Sequence, residues 1–467
     1  MYRHHMMSHY LTRIHGLFRR IGQRPTLKKV GQNTLWLVFE KGGISLVSFV
    51  VGIVVARYLT PSGYGTLATL NNLLGLLVTF ASLGLEPIIQ QQLIRYPRQH
   101  AAILYAALSA RFVSAMVISL LLVISQYWAP GPWGWGMVAL MGAGMIGNAL
   151  SIVRSYYEAH MLIKPIVIIQ LLILMLTSLM KVMGVWYQWP VTWFFFTFIV
   201  ETIMGGVLGL LFLSLTQLRW ALPSLRLIRH LVRRAWPMWL LLFTMLGHNR
   251  LDQWLLYHWS TPYQTGLYAL AVRFCEYAVM IPTLVLSVSQ PVLQPLKHQN
   301  PTLFRDRLAQ LSGLMTLGSL VIIGLLWLGS AGLFEWLYGS AYTPSIKMVW
   351  VYAGCFLGWA QWPVCHIYMM SSRRASHWTL INAMGLIPYG VLLTIMVPLW
   401  GGMGAAAASV ISVCLTTLGL PALFPSTRPL CGIYWQGMTL RSLRGMWHRW
   451  WGTPPLHPPM SHHHTGQ

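Results

Sequence analysis

Long apolar stretches separated by small clusters of basic residues constrain this chain more than any other feature of it. The hydrocarbon core of a bilayer is about 30 Å thick, and a helix needs about 20 apolar residues to cross it. Twelve segments of that kind follow one another, at residues 35–58, 66–85, 102–127, 133–153, 165–187, 191–215, 237–259, 265–290, 308–328, 346–370, 378–399 and 402–424. Only 9% of the 467 residues are charged, whereas a soluble domain carries about 25%. Most of the surface therefore has lipid rather than water to face, and the expected fold is an all-α polytopic membrane protein of twelve transmembrane helices.

The charges that remain are lopsided, with 32 Lys and Arg against eight acids and a net charge of +24. Such an excess can mark a nucleic-acid binder, but no basic helix with interleaved aromatics stands alone here, so nucleic acid is excluded as a partner. Twenty-five of the 32 basic residues fall on one side if the N-terminus is cytoplasmic. They include Arg3 to Lys29 before the first span, Arg219 to Arg234 in the middle, and Arg373 and Arg374. By the positive-inside rule both termini are then cytoplasmic. The loops on the other side are short and aromatic, as in Trp128–Trp133 and Trp186–Pro190, which suits a membrane interface. No cleavable signal precedes the first span. The five cysteines show no CxxC pair, and neither a disulfide framework, a metal site nor a cofactor is expected.

Thr60-Pro61, followed by Gly65 and Ala68, recurs as Thr261-Pro262 followed by Gly266 and Ala269, at a constant offset of 201 residues. An even number of spans separates the copies, so the two six-helix repeats are parallel in the membrane. The implied organisation is a basic cytoplasmic segment at 1–34, a bundle at 35–216, a cytoplasmic linker at 217–236, a second bundle at 237–424, and a basic, Pro-rich tail at 425–467 that packs poorly.

Several motifs resemble one known family. Arg57-Tyr58-Leu59-Thr60-Pro61-Ser62-Gly63-Tyr64-Gly65 resembles the signature after the first helix of Wzx-type oligosaccharide flippases, in the multidrug/oligosaccharidyl-lipid/polysaccharide (MOP) exporter superfamily. Leu251-Asp252-Gln253, Gly266-Leu267-Tyr268, Arg273 with Glu276, Tyr338-Gly339-Ser340-Ala341-Tyr342, and Trp400 to Ala407 resemble further family motifs, in the family's order. The resemblance implies two six-helix bundles forming a V around a central cavity, in the bacterial cytoplasmic membrane. It implies a cargo of undecaprenyl-diphosphate-linked oligosaccharide, driven by a proton or sodium gradient, and it admits a polysaccharide polymerase and a chain-length regulator as partners. A multidrug exporter of the same superfamily is the nearest alternative, and a membrane glycan polymerase or ligase a more distant one.

A charge at mid-bilayer costs about 2.5–3.5 kcal/mol on insertion scales and normally faces protein or a wet cavity. The helix-borne charges are therefore the candidate site. Lys41 shares a stripe with Ser45, Ser48 and Gly52, either as a cation for the carrier's diphosphate or as a residue reaching the interface or a neighbouring acid. Arg111, Arg250 and Arg273 are the other substrate-binding cations, and Lys181 reaches either the cavity or the interface. Asp252 and His248 share a face one turn apart, as a protonation site or a buried ion pair. Glu276, three residues after Arg273, forms a salt bridge or an exchangeable pair. Glu201, with no local partner, is expected to face the cavity or a cation on another helix. Asp252, His248, Glu276 and Glu201 are the ion-coupling candidates. The embedded bases outnumber the embedded acids, which favours an anionic cargo.

Overall fold

The computed structural model describes residues 25–129, 134–214, 223–372, 375–425 and 427–439, and all of their regular structure is helical. Residues 1–24, 130–133, 215–222, Arg373, Arg374, Ser426 and the tail from residue 440 lie outside this description. The chain divides into two compact units. Unit 1 comprises Met1–Leu270, Gly332–Ser345 and Val397–Ala405, and unit 2 comprises Ala271–Ala331, Ile346–Met396 and Ala406–Gln467.

Unit 1 contains α1 (Pro25–Ser82), α2 (Leu85–Arg95), α3 (His100–Trp128), α4 (Gly134–Leu150), α5 (Val153–Ala159), α6 (Ile163–Trp186), α7 (Val191–Ser214) and α8 (Leu225–Trp259). The chain then passes through α9 (Pro262–Glu276), α10 (Met280–Gln299) and α11 (Pro301–Tyr338) to the short helices α12 (Ser345–Tyr352), α13 (Phe356–Trp359) and α14 (Trp362–Ser371). It ends in α15 (Ala375–Cys414), α16 (Leu420–Leu423) and α17 (Arg428–Met438).

Eight helical stretches among the described residues are long and apolar enough to cross a membrane. Two of them, Phe39–Arg95 with 57 residues and His377–Leu423 with 47, would extend about 85 and 70 Å if straight, more than twice the hydrocarbon thickness. Each breaks where the sequence predicts a loop between two spans, at Thr60 (φ 57°, ψ 170°) and at Gly401 (φ 56°, ψ −131°). A positive φ takes both residues out of the helix, and Pro61 withholds an amide donor beside the first break. Two predicted spans are not among the eight. Residues 237–259 lie in α8, whose polar run from His248 to Gln253 lowers its hydropathy, and residues 346–370 are divided among α12, α13 and α14.

The two copies of the repeated motif pack directly on one another inside unit 1. A Cβ at Gly65 would strike the Pro262 carbonyl, and a Cβ at Gly266 would strike the Pro61 carbonyl. That reciprocity is what equivalent copies of one motif produce when their backbones touch. The Arg57 and Tyr338–Tyr342 motifs are joined to each other within the same unit. The Arg57 guanidinium donates to the carbonyls of Trp336 and Leu337 at the end of α11, where a cation complements both the open carbonyls and the helix dipole. The Tyr342 hydroxyl donates to the Ala56 carbonyl at 2.8 Å, and burial pushes its phenol well above the ordinary value.

Without a hydrophobic force between helices in lipid, close packing relies on small residues. Gly147 of α4 and Gly206 of α7 supply it: a Cβ on Gly206 would lie 2.7 Å from the Gly147 carbonyl and 2.6 Å from the Leu150 Cβ. Unit 2 has its own core, from Leu286, Leu293 and Phe304 to Val364, Tyr368 and Trp378. The tail expected to pack poorly begins instead with α17, whose Leu430, Ile433 and Tyr434 are buried in that core and whose Gly437 abuts Ser312. The spacing i, i+3, i+4, i+7 gives this short helix one apolar face, which overrides the basic, Pro-rich composition of the sequence after it. α8 likewise begins at Leu225, so the second half of the expected linker is helical.

Gly206→Leu should overpack the α4–α7 contact at a cost of about 1–3 kcal/mol. A lowered midpoint of thermal unfolding in detergent is the expected reading, while Gly205→Ala, at a position with open space around it, should leave the midpoint near wild type.

Candidate functional site

The charges of unit 1 are tied together across its helices. Glu40, buried in α1, accepts from both terminal nitrogens of Arg154 in α5, at 2.8 and 3.0 Å. The same guanidinium donates through Nε to Glu158 at 2.7 Å, and Glu158 also accepts from Gln90 of α2 at 2.5 Å. Arg111 of α3 is fully buried and donates to Glu86 of α2 at 3.0 Å and to Asn148 of α4 at 2.7 Å. Glu201 of α7 accepts from Lys181 and from the Thr177 hydroxyl of α6, both at 3.3 Å.

These contacts explain how so apolar a bundle holds ionised groups. Fork-shaped guanidinium–carboxylate bonding is charge-assisted and directional, and a partner within hydrogen-bond reach offsets much of the desolvation of each ion. Four carboxylates meet three bases in these contacts, so the excess of embedded bases expected from the sequence does not extend to this network. Between the pairs lies a cavity of about 180 Å³, lined by Asn148, Ser151, Arg154, Gln170, Glu201 and Thr202 and floored by the glycines of α7. Leu150, Val153, Ile166 and Phe198 complete its lining, so Glu201 borders a space that is part polar and part apolar.

A second polar layer joins α1, α8 and α9. Asn72 donates to Gln253 at 2.5 Å. Asp252, also buried, accepts from the backbone amide of Gln253 at 2.7 Å and from the hydroxyl of Tyr268. The Asp-Gln and Gly-x-Tyr motifs of the family resemblance thus meet at one carboxylate. His248 is half-buried one turn before Asp252, and Arg250 is half-buried on the same helix.

Lys41 is exposed, one residue from buried Glu40 and so about 100° round the helix from it. Unit 2 holds Arg273 and Glu276. Arg273 is exposed with its guanidinium 5.7 Å from the Tyr277 ring centroid, and Glu276 is half-buried. The structure therefore joins Glu201 with Lys181 and places Arg111 and Asp252 in separate bonded clusters.

Glu40, Glu86, Asn148, Arg154 and Glu158 are absent from the sequence-derived candidates. Hydropathy places Arg154 in a loop because the fourth predicted span stops at residue 153, whereas the apolar stretch continues to Ala159. Two signals point to these residues all the same: an acid inside the first apolar run, and Arg154 with Glu158 at i, i+4.

A family model described as "Polysaccharide biosynthesis protein" matches residues 30–299, and the chain belongs to that family. No curated protein matches the sequence. Among solved structures, the fold is similar to that of the lipid II flippase MurJ in an inward closed conformation, with TM-score 0.64 and 12% identity over 89% of this chain and 93% of that one. An inward-facing multidrug resistance MATE family transporter of the MOP superfamily gives TM-score 0.59 and 11% identity over 86% and 96%. The Vibrio cholerae MATE transporter VcmN, in a mutant form, gives 0.53 and 14% over 87% and 98%. The chain is thus a multi-pass membrane protein of the polysaccharide biosynthesis family, with a fold like those of the lipid II flippase MurJ and of MATE transporters.

Replacing Glu40 by Leu should cost about 1–3 kcal/mol, because both terminal nitrogens of Arg154 lose their carboxylate while Nε keeps Glu158. Adding Arg154→Met should recover only part of that loss, since Glu158 then keeps Gln90 alone. Thermal unfolding of the single and double variants in detergent checks both expectations.

Proposed function

We propose that this protein flips an undecaprenyl-diphosphate-linked oligosaccharide across the bacterial cytoplasmic membrane by ion-coupled alternating access, for O-antigen, capsule or exopolysaccharide synthesis. The observation that carries the reading is the match of residues 30–299 to the polysaccharide biosynthesis family. The likeness of fold to a lipid II flippase adds to it. In this reading there are twelve crossings. Phe39–Arg95 and His377–Leu423 supply two each, six other apolar stretches supply one each, and the last two come from α8 and from α12–α14. Both termini are cytoplasmic, as the basic residues indicate.

Lys41, Arg111, Arg250 and Arg273 serve the anionic cargo, and the chain's excess of 32 basic over eight acidic residues raises its local concentration. Proton or sodium coupling falls to Glu201, beside its cavity, and to Asp252 with His248, with Glu276 in the second unit. A polymerase and a chain-length regulator are partners that the same pathway logic supplies. A multidrug carrier is the second reading, favoured by the likeness of fold to MATE transporters.

The test is flipping in proteoliposomes loaded with a fluorescent undecaprenyl-diphosphate-linked oligosaccharide, read by a membrane-impermeant quencher. Wild-type protein should expose the label when an ion gradient is imposed. Transport of a cationic dye in its place, with no flipping of the glycan lipid, would select the multidrug reading. Lys41→Ala and Arg273→Ala should each slow flipping about tenfold or more, without loss of membrane insertion. Asp252→Asn should remove the dependence on a proton gradient while cargo still binds; unchanged coupling in that variant removes Asp252 from the mechanism.

A further inference from the structure

His100, the first residue of α3, and His160, which follows α5, face each other with Nδ1 of His100 and Nε2 of His160 3.0 Å apart. Their remaining nitrogens are also engaged. Nε2 of His100 lies 2.8 Å from the Leu93 carbonyl, and Nδ1 of His160 lies 2.7 Å from the Tyr156 carbonyl. A carbonyl can only accept, so each outer nitrogen carries a hydrogen. The inner contact needs one hydrogen more, because two bare lone pairs repel at that distance. Three hydrogens on four nitrogens is one more than two neutral imidazoles hold. All four contacts are therefore satisfied only when the pair carries a single positive charge.

We propose that His100 and His160 form a proton-binding site of this carrier, separate from the Asp252 and Glu201 candidates, in which one proton is shared between the two rings. Losing that proton breaks the inner bond or one of the carbonyl bonds. Gaining a second sets two charged N–H groups against each other. The bound proton thus ties the start of α3 to the end of α5, the helix whose Arg154 holds Glu40, so its arrival or departure is felt in the charged network of unit 1.

Neighbouring groups fit a single charge. The Tyr156 ring lies 4.1 Å from that of His160 and 6.2 Å from that of His100, centroid to centroid. On α5, Glu158 is already engaged by Arg154 and Gln90. From the preceding segment come Arg95 and Arg98, both exposed, and Lys164 opens α6 with its ammonium over Trp36. On α8, which packs against α2 and α3, the basic residues from Arg226 to Arg234 are exposed. Cations dominate this shell, and Glu158 is the acid nearest in sequence, so a second proton on the pair is disfavoured by the surroundings as well as by the first.

The functional consequence rests on the flippase reading, but the proton count does not. Nitrogen-15 NMR of histidine-labelled protein in micelles at about pH 7, near the range where histidine titrates, assigned with His100→Asn and His160→Asn, should find three of these four ring nitrogens carrying a proton. Two or four would overturn the site. If neither variant folds, the wild-type spectrum still decides, assigned through its ring-to-ring coupling. A correct proton count in a protein that flips no glycan lipid would leave the site standing and remove the proposed cargo alone.

Discussion

Pairing of buried arginines and glutamates across helices is the constraint on which unit 1 depends. Arg111 has 1% of its side chain exposed and Glu40 has 3%, and an unpaired charge at either place would carry a large desolvation cost. The arrangement that results is a set of ties between helices that are distant in sequence: α1 to α5, α2 to α3 and α4, α6 to α7. Lipid supplies no force that presses apolar helices together. Glycine contacts and these charged ties supply the specificity in its place.

In the proposed mechanism the same ties are what would let the bundle respond to ions. In the proposed mechanism a proton or a small cation would compete with Lys181 for Glu201, and the tie between α6 and α7 would change when it binds. Asp252 has a comparable position, held by Tyr268 and by the amide of Gln253. Coupling of an ion to movement needs a group whose bonding differs between two states. Glu201, Asp252 and the two histidines all stand where such a difference would alter contacts between helices.

Much of the fold is legible in the sequence because hydropathy reads directly the transfer of side chains into lipid, which is the main force that places them. The repeat at 201 residues foreshadows the contact of Gly65 with Pro262, since a repeated Pro-Gly motif between spans marks equivalent backbone positions. The family motifs are legible as a set, but what they do is not. Arg57 reads as a basic residue at a helix end, and only the structure reveals that it closes the end of α11. The acids are the main omission. Glu40 finds its partner on a helix 114 residues further along the chain, and Glu158, one turn from Arg154, lies with it beyond a predicted span boundary. Pairing across helices leaves no periodic trace, so it stays hidden where hydropathy succeeds. The helix of Arg428–Met438 is hidden for the opposite reason, being too short to stand out from the proline-rich composition that follows it.

The claim that this protein moves a lipid-linked glycan is tested most directly in the cell that makes it. Deleting its gene and extracting the membrane lipids should reveal undecaprenyl-diphosphate-linked oligosaccharide accumulating on the cytoplasmic leaflet, with the matching surface polysaccharide lost and both restored by the wild-type gene. Surface polysaccharide at wild-type levels, with no accumulated lipid-linked precursor and no other carrier able to take its place, would contradict the account.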